Sequence, residues 1–203
     1  MSGLKLCPMC AIISRVIRQT GMGGRTMRLL FEIDKKDYDP SGVAFIRHSA
    51  RCINIRNGLV AMVHSLKYDY YKFPGGGIEE GESAEHAMIR ETREEAGLVV
   101  IPGSVKEYGY VHRMQKSDHD DTDYFVQDNF YYLCDVEEGI QAQALDEYEA
   151  DERFTLEYVE PDKAVFVNRN GDHGPIGNTM RDVELEREAR VLELLKEEGY
   201  FRQ

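Results

Sequence analysis

Cysteine, long apolar runs and positive charge are all scarce in this sequence. Four cysteines in 203 residues are too few for the disulfide framework of a small secreted domain. No stretch approaches the roughly 18 consecutive apolar residues that a membrane-spanning helix needs. The 25 Lys and Arg residues face 37 Asp and Glu residues, so the formal net charge is −12. A surface of this charge repels nucleic-acid backbones and anionic membranes, and we therefore expect neither as a partner.

The length and composition predict one domain of ordinary size with an extension at its amino end. The chain is 42% hydrophobic, which is enough to form a buried core. Residues 1–26 carry four basic residues and no acid, a composition found in some organelle-targeting peptides. We interpret them instead as an extension of uncertain role, with Met27 as an alternative start and residues 27–203 as the domain. Cys7 and Cys10 have the spacing of half a zinc site, but nothing completes it, so we expect incidental thiols in a cytoplasmic protein.

From Met27 onward, strand-like and helix-like stretches alternate. The pair Asn57-Gly58 indicates a hairpin turn, while Ser83 and Gly97 are typical of the two ends of a helix. Residues 70–77, with Pro74 and three glycines, indicate a loop. We predict strands over residues 43–47, 51–55, 59–64, 105–111, 124–134 and 154–159, and helices over 83–96, after Pro161 and over 179–198. This alternation is typical of a single mixed α/β domain.

The chemistry is concentrated in the segment that surrounds the predicted helix at residues 83–96. Glu91, Glu94 and Glu95 are spaced i, i+3 and i+4, so their carboxylates project from one helix face. Clustered like charges destabilise a helix, whereas a divalent cation with oxygen ligands relieves the repulsion. Arg90 lies four residues before Glu94 and can orient it. The alternative interpretation is a solvated acidic helix face.

The full spacing of this segment resembles the signature of the Nudix hydrolase family, G-x5-E-x7-R-E-U-x-E-E-x-G-U, where U is usually apolar. The match runs from Gly76 to Leu98, and Thr92 stands where an aliphatic residue is usual. The preceding residues 71–77 resemble the aromatic-x-x-Pro-Gly-Gly approach of the same family, and the likeness extends over about residues 43–167. All seven fixed positions are present, namely Gly76, Glu82, Arg90, Glu91, Glu94, Glu95 and Gly97.

The resemblance implies an α/β/α sandwich with a mixed β-sheet and a metal-dependent hydrolase. Such enzymes cleave a nucleoside diphosphate linked to another moiety, with Mg²⁺ or Mn²⁺ and a water nucleophile. Carried onto this chain, it implies that Glu82 and Arg90 are orienting residues of the catalytic set. It also implies that Glu91, Glu94 and Glu95 are metal ligands and that one of these glutamates is the general base. The backbone carbonyl of Gly76 is a further implied ligand.

Residues outside the signature complete the expected site. The family often takes a further acid from another loop, and Asp151 and Glu152 are the candidates that precede the strand at 154–159. Asp120 and Asp121 are their rivals. Tryptophan is absent, so a stacked base must lie on Tyr or Phe. The substrate-binding candidates are Lys67 and Arg51 for phosphate and Tyr71 for a base.

Two classes of function stay open at this point. A nucleotide pyrophosphatase has ADP-ribose-like sugars, nucleoside triphosphates and dinucleoside polyphosphates as candidate substrates. A Nudix-fold regulatory module would bind a nucleotide without hydrolysing it. The intact glutamates favour the enzyme. We expect a small-molecule nucleotide as the ligand. A homodimer is compatible with this function.

Overall fold

A computed structural model describes residues 27–174 and 179–202. The predictions for residues 1–26, including Cys7 and Cys10, lie outside these residues. The strands are β1 Leu29–Asp34, β2 Ala44–Ile46, β3 Ser49–Ile53, β4 Ile55–Arg56, β5 Leu59–Ser65, β6 Tyr70–Lys72, β7 Gly75–Gly77, β8 Lys106–Lys116, β9 Tyr124–Leu133 and β10 Phe154–Val159. The helices are α1 Ala84–Ala96, α2 Glu147–Asp151, α3 Pro161–Asn170 and α4 Thr179–Glu197.

The strands form two sheets. The larger sheet has the order β1-β8-β9-β3-β7, with β2 also paired to β9. It is mixed, because β3 runs parallel to β9 while β7 and β8 run antiparallel to their neighbours β3 and β9. In the smaller sheet, β5 pairs with β10 on one side and with β4 and β6 on the other. Strand β7 leads from the larger sheet into α1, so the predicted signature spans a sheet edge and a helix.

Helix α1 begins and ends where the sequence predicts. The Ser83 side chain accepts a hydrogen bond from the backbone N–H of His86 and thereby caps the first turn. Gly97 ends the helix in the left-handed conformation, with φ of 65°, and its N–H donates to the carbonyl of Arg93. The hairpin predicted at Asn57-Gly58 is confirmed by the antiparallel pairing of β4 with β5. Local capping and turn chemistry therefore fix these boundaries.

Two apolar cores lie on opposite faces of the sheets. Neighbouring residues of a strand point to opposite faces, and Tyr131 and Tyr132 of β9 pack into different clusters. One cluster includes Ala87 and Met88 of α1, and the other includes Leu192 of α4. With α1 on one face and α3 and α4 on the other, the molecule has the predicted α/β/α layers and mixed sheet.

Some elements differ from the predictions. The sequence indicated a loop over residues 70–77, and this was wrong: β6 and β7 occupy most of it. The glycines form β7 because β3 supplies a partner, with Ser49 opposite Gly77 and Arg51 opposite Gly75. Strand β1 and the short helix α2 were not predicted. Among the described residues, no helix combines the length and apolar character needed to cross a membrane.

Candidate active site

Strand β7, Gly75–Gly77, lies directly against the acidic face of α1, and we call it the glycine strand. A Cβ atom at Gly76 would come within 2.5 Å of the carboxylate oxygens of Glu91, so any larger residue would clash there. Burial raises the pKa of Glu91, although the adjacent Arg90 guanidinium opposes this shift. The close approach brings the Gly76 backbone and the Glu91 carboxylate together at one edge of the sheet.

Arg90 connects four parts of the signature. Its guanidinium donates to both carboxylate oxygens of Glu82, at 3.0 and 2.9 Å, and to the carbonyl of Gly77 at 3.1 Å. It also donates to Glu91 at 2.8 Å and to Glu94 at 3.1 Å. The hydrogen bond from Arg90 lowers the pKa of Glu82. Arg90 therefore connects the loop before α1 to the helix.

Glu95 lies at the base of this arrangement and is 1% exposed. The Lys72 ammonium group donates to its Oε1 at 2.6 Å, and the Gly75 backbone N–H donates to its Oε2 at 2.9 Å. Burial raises the pKa of Glu95 to about 7, and Lys72 opposes the shift. Lys72 is itself buried, with its ammonium 4.5 Å from the centre of the Phe154 ring. The two charges compensate each other inside the protein.

A polar cleft of about 470 Å³ opens beside the signature. Arg47 forms part of its wall, close enough that a Cβ at Gly77 would come 2.7 Å from its Nη2 atom. The cleft therefore combines several acids with two guanidinium groups. Its lining consists of Arg47, Gly77, Ile78, Glu79, Arg90, Glu91, Glu94, Ala144, Asp146 and Glu149.

Glu149 on α2 is an acid of this cleft that the sequence analysis missed. It is 4% exposed, and its hydrogen bond to Glu95 contributes to the raised pKa of Glu95. The Tyr148 hydroxyl and the Asp146 backbone N–H both donate to its carboxylate, at 3.0 and 2.9 Å. The signal was present, because Asp146 and Glu149 have the spacing of a capping box, which predicts a helix start.

The two acids predicted near the strand at 154–159 do not line this cleft. Asp151 is exposed and forms an ion pair with Lys67 at 2.6 Å, so this predicted phosphate contact already has an anionic partner. Glu152 is buried and accepts hydrogen bonds from Ser65 at 3.0 Å and from the Tyr70 hydroxyl at 2.7 Å. None of these residues lines the cleft.

The other candidates also lie outside the cleft lining. The Tyr71 ring is 1% exposed, and its hydroxyl donates to Glu157 at 2.9 Å, so the ring is a core residue. Asp120 and Asp121 are exposed in the turn between β8 and β9. That turn is fixed by a different acid, Asp123, which accepts the backbone N–H of Val43 at 2.6 Å.

Arg51 contacts the backbone just before the signature and does not line the cleft. It is 5% exposed and donates to the carbonyls of Phe73 and Gly75, at 3.0 and 3.2 Å. Its guanidinium also donates to Glu184 of α4 at 3.0 Å. Arg51 therefore connects α4 to the backbone that carries the Gly75 N–H, the donor to Glu95.

Glu188 of α4 holds the same backbone segment. Its carboxylate is fully buried and accepts the Phe73 N–H at 3.1 Å and the Nε–H of Arg187 at 3.0 Å. The Tyr131 hydroxyl donates to it at 3.4 Å, and Arg51 Nε lies 3.6 Å away. We call Arg51, Glu184, Arg187 and Glu188 the α4 network. It fixes one side of the glycine strand while Glu95 fixes the other.

The donor chemistry of the cleft fits the divalent cation that the resemblance implies. Carboxylates are among the oxygen ligands that Mg²⁺ prefers, and the absence of a side chain at Gly76 leaves room for the Glu91 carboxylate. Within residues 27–174 and 179–202, however, no three acidic, His or Cys side chains are gathered closely enough to hold a metal ion. Instead, Arg90 binds Glu91 and Glu94, and Lys72 binds Glu95.

Comparison with known proteins gives the chain its family. The model of the NUDIX domain matches residues 46–176, which is more than half of the chain. The RNA pyrophosphohydrolase of Shewanella piezotolerans is 49% identical over 43 residues, or 21% of this chain and 25% of that protein. The RNA pyrophosphohydrolase of Baumannia cicadellinicola is 50% identical over 42 residues, 21% of this chain and 26% of that protein. The chain thus spans about a quarter of the length of these curated relatives.

Two solved structures share part of the chain trace at low similarity. The E. coli ORF135 protein has a TM-score of 0.45 and 18% identity, over 76% of this chain and 93% of its own. The MutT NUDIX hydrolase from Burkholderia pseudomallei has a TM-score of 0.45 and 16% identity, over 70% and 97%. On the match of the family model, which includes the whole signature, the chain belongs to the NUDIX family.

Proposed function

We propose that the protein is a hydrolase that cleaves the pyrophosphate linkage of a nucleoside diphosphate derivative, by attack of water at phosphorus and with a divalent cation. The observation that carries this proposal is the cleft, where Glu91, Glu94 and Glu149 stand beside Arg90 and Arg47. Nudix hydrolases generally use divalent metal ions, and the names of the partial relatives indicate pyrophosphate hydrolysis. A surface acid cluster alone would not require a buried glutamate such as Glu95.

The cation is expected to be Mg²⁺ or Mn²⁺, held by Glu91, Glu94, Glu95 and the carbonyl of Gly76. When bound, it would stabilise negative charge on a phosphoryl oxygen and lower the pKa of a coordinated water molecule. Glu149 is our candidate for the further acid, because it contacts Glu95 and lines the cleft.

The protein itself supplies orientation and charge around the reacting phosphorus. Arg90 holds the carboxylates of Glu82, Glu91 and Glu94 around one guanidinium group beside the cleft, and a cation would replace Arg90 as the partner of Glu91 and Glu94. Arg47 presents a guanidinium group at the cleft wall, where it can bind a phosphate oxygen of the substrate. The fixed donors favour in-line displacement, which depends mainly on positioning and charge stabilisation.

The substrate class is a nucleotide with a pyrophosphate linkage: an ADP-ribose-like sugar, a nucleoside triphosphate or a dinucleoside polyphosphate. The net charge of −12 favours these small substrates over long nucleic acids. The names of the curated relatives add RNA as a substrate to be tested.

The decisive experiment is a substrate panel with Mg²⁺ or Mn²⁺, scored for released phosphate, pyrophosphate and nucleoside monophosphate. Glu91→Gln should lower kcat by a factor of a hundred or more, on the order of the loss of a catalytic group. The control, Glu193→Gln, removes an exposed acid that pairs with Arg169 on the opposite layer and should leave kcat unchanged. Full activity in excess chelator would contradict the proposal, and nucleotide binding without any product would favour the regulatory module.

A further inference from the structure

We propose that Lys72 is a built-in competitor of the divalent cation: its ammonium group binds Glu95 in the metal-free protein and weakens cation binding at the cleft. This inference rests on the proposed function, because it requires a cation site that includes Glu95. It assigns a role to a residue outside the signature, on the short strand β6.

The geometry places the Lys72 ammonium group directly against the Glu95 carboxylate. Lys72 is 6% exposed, and its Nζ lies 2.6 Å from Oε1 of Glu95. The face of the Phe154 ring lies 4.5 Å from the same nitrogen and leaves the ammonium group little freedom to move away. Lys72 is therefore a fixed internal charge, unlike a surface lysine, which is free to turn into solvent.

Both oxygens of Glu95 are already engaged. Oε1 accepts from Lys72, and Oε2 accepts the backbone N–H of Gly75 at 2.9 Å. A cation that binds Glu95 must either displace the ammonium group from Oε1 or remain beside it. Repulsion between a monovalent and a divalent charge a few ångströms apart is large when both are shielded from water. Either route weakens the affinity for the cation.

The same contact has a structural benefit. Glu95 is fully buried, and a buried charge without a partner strongly destabilises a fold. Lys72 supplies that partner when no cation is bound. Removal of its charge should therefore have two effects of opposite sign: the metal-free protein becomes less stable, and the cation binds more tightly.

The test compares Mn²⁺ binding by calorimetry and by electron paramagnetic resonance, at pH 8.5, for the full chain and its variants. Lys72→Met should lower the Kd for Mn²⁺ by about tenfold or more. Its Tm in chelator should be lower than that of the wild type, and its rise in Tm on adding Mn²⁺ should be larger. The control, Lys196→Met, removes the same charge from an exposed ion pair with Asp162 and should leave the Kd unchanged.

A second variant covers the outcome in which Lys72→Met does not fold. Lys72→Gln keeps an N–H donor for Glu95 but removes the charge, so it should fold and show the same tightening. An unchanged or higher Kd in a folded Lys72 variant would overturn the inference and leave the proposed function intact. Absence of Mn²⁺ binding in the wild type would overturn both.

Discussion

Replacement of Glu188 by glutamine tests whether the α4 network supports the active-site backbone. Glu188→Gln keeps the shape of the side chain and an oxygen that can accept the Phe73 N–H, but it removes the charge opposite Arg187 and Arg51. Both guanidinium groups are almost completely buried. Because an amide nitrogen cannot accept a hydrogen bond, the change removes both the charge and the hydrogen bonds that Oε1 accepts from Arg187.

The expected cost follows from what the variant leaves in place. Removing one partner of a buried ion pair costs about 3–5 kcal/mol. Glu184 still lies 3.0 Å from both Arg51 and Arg187, so we expect about 3 kcal/mol, the lower end of this range. For a domain of this size, that corresponds to a fall in Tm of roughly 6–12 °C.

The assay is urea denaturation of wild type and variant in chelator, with a thermal melt as the second measurement. The matched control is Glu186→Gln on the same helix, where the carboxylate pairs with Arg169 at a largely exposed site. An exposed pair contributes about 0–1 kcal/mol, so the control should unfold almost as the wild type does. If Glu188→Gln costs no more than Glu186→Gln, the buried network does not stabilise the fold and the reasoning fails.

Two further predictions concern local geometry and pH. Gly97→Ala should destabilise the protein much more than Gly103→Ala: both glycines have positive φ, but a Cβ at Gly97 would come 2.2 Å from the Gln141 carbonyl oxygen, while open space surrounds Gly103. Thermal melts of the two variants check this, and equal losses in Tm would contradict it. The Nδ1–H of His112 donates to the Asp128 carboxylate at 2.7 Å, and this hydrogen bond raises the pKa of His112. The stabilisation by the charged pair is present below the unfolded pKa of roughly 6.5 and is lost as pH rises through the higher folded pKa. His112→Asn should therefore cost more unfolding free energy at pH 6 than at pH 9 in urea titrations, and an equal cost at both pH values would refute the assignment.

The sequence predicted those parts of the fold that local chemistry determines. Ser83 and Gly97 mark the ends of α1 because capping and a left-handed turn act within a few residues. Strand β7 was missed because three consecutive glycines have no intrinsic strand preference, and β6 was missed because its three residues lead into Pro74 and those glycines. They form only because β3 and β5 lie beside them, and those partners cannot be identified from a local window.

The candidate site was predicted in part for a related reason. The signature identifies the acids of α1, whose relative positions follow from helix geometry alone. Glu149 was missed because its place in the cleft depends on how α2 packs, and Asp151 and Glu152 were preferred only for their closeness to β10. Arg51 was predicted at the substrate, whereas strand alternation turns it toward α4. Residue type does not show which sheet face is covered by a helix.

The α4 network also has a consequence for how the chain folds. Its hydrogen bonds join residues that are far apart in sequence. Arg51 and Glu184 are 133 positions apart, and Phe73 and Glu188 are 115 positions apart. Such contacts require long loops to close before they contribute any stability, and folding is correspondingly slow. During synthesis, which proceeds at about 5–20 residues per second, Glu188 is made well after the signature is complete. The glycine strand beside the acids of α1 thus receives its buried anchor only after residue 188 is made, so a nascent chain carries the whole signature before it can hold that strand in place.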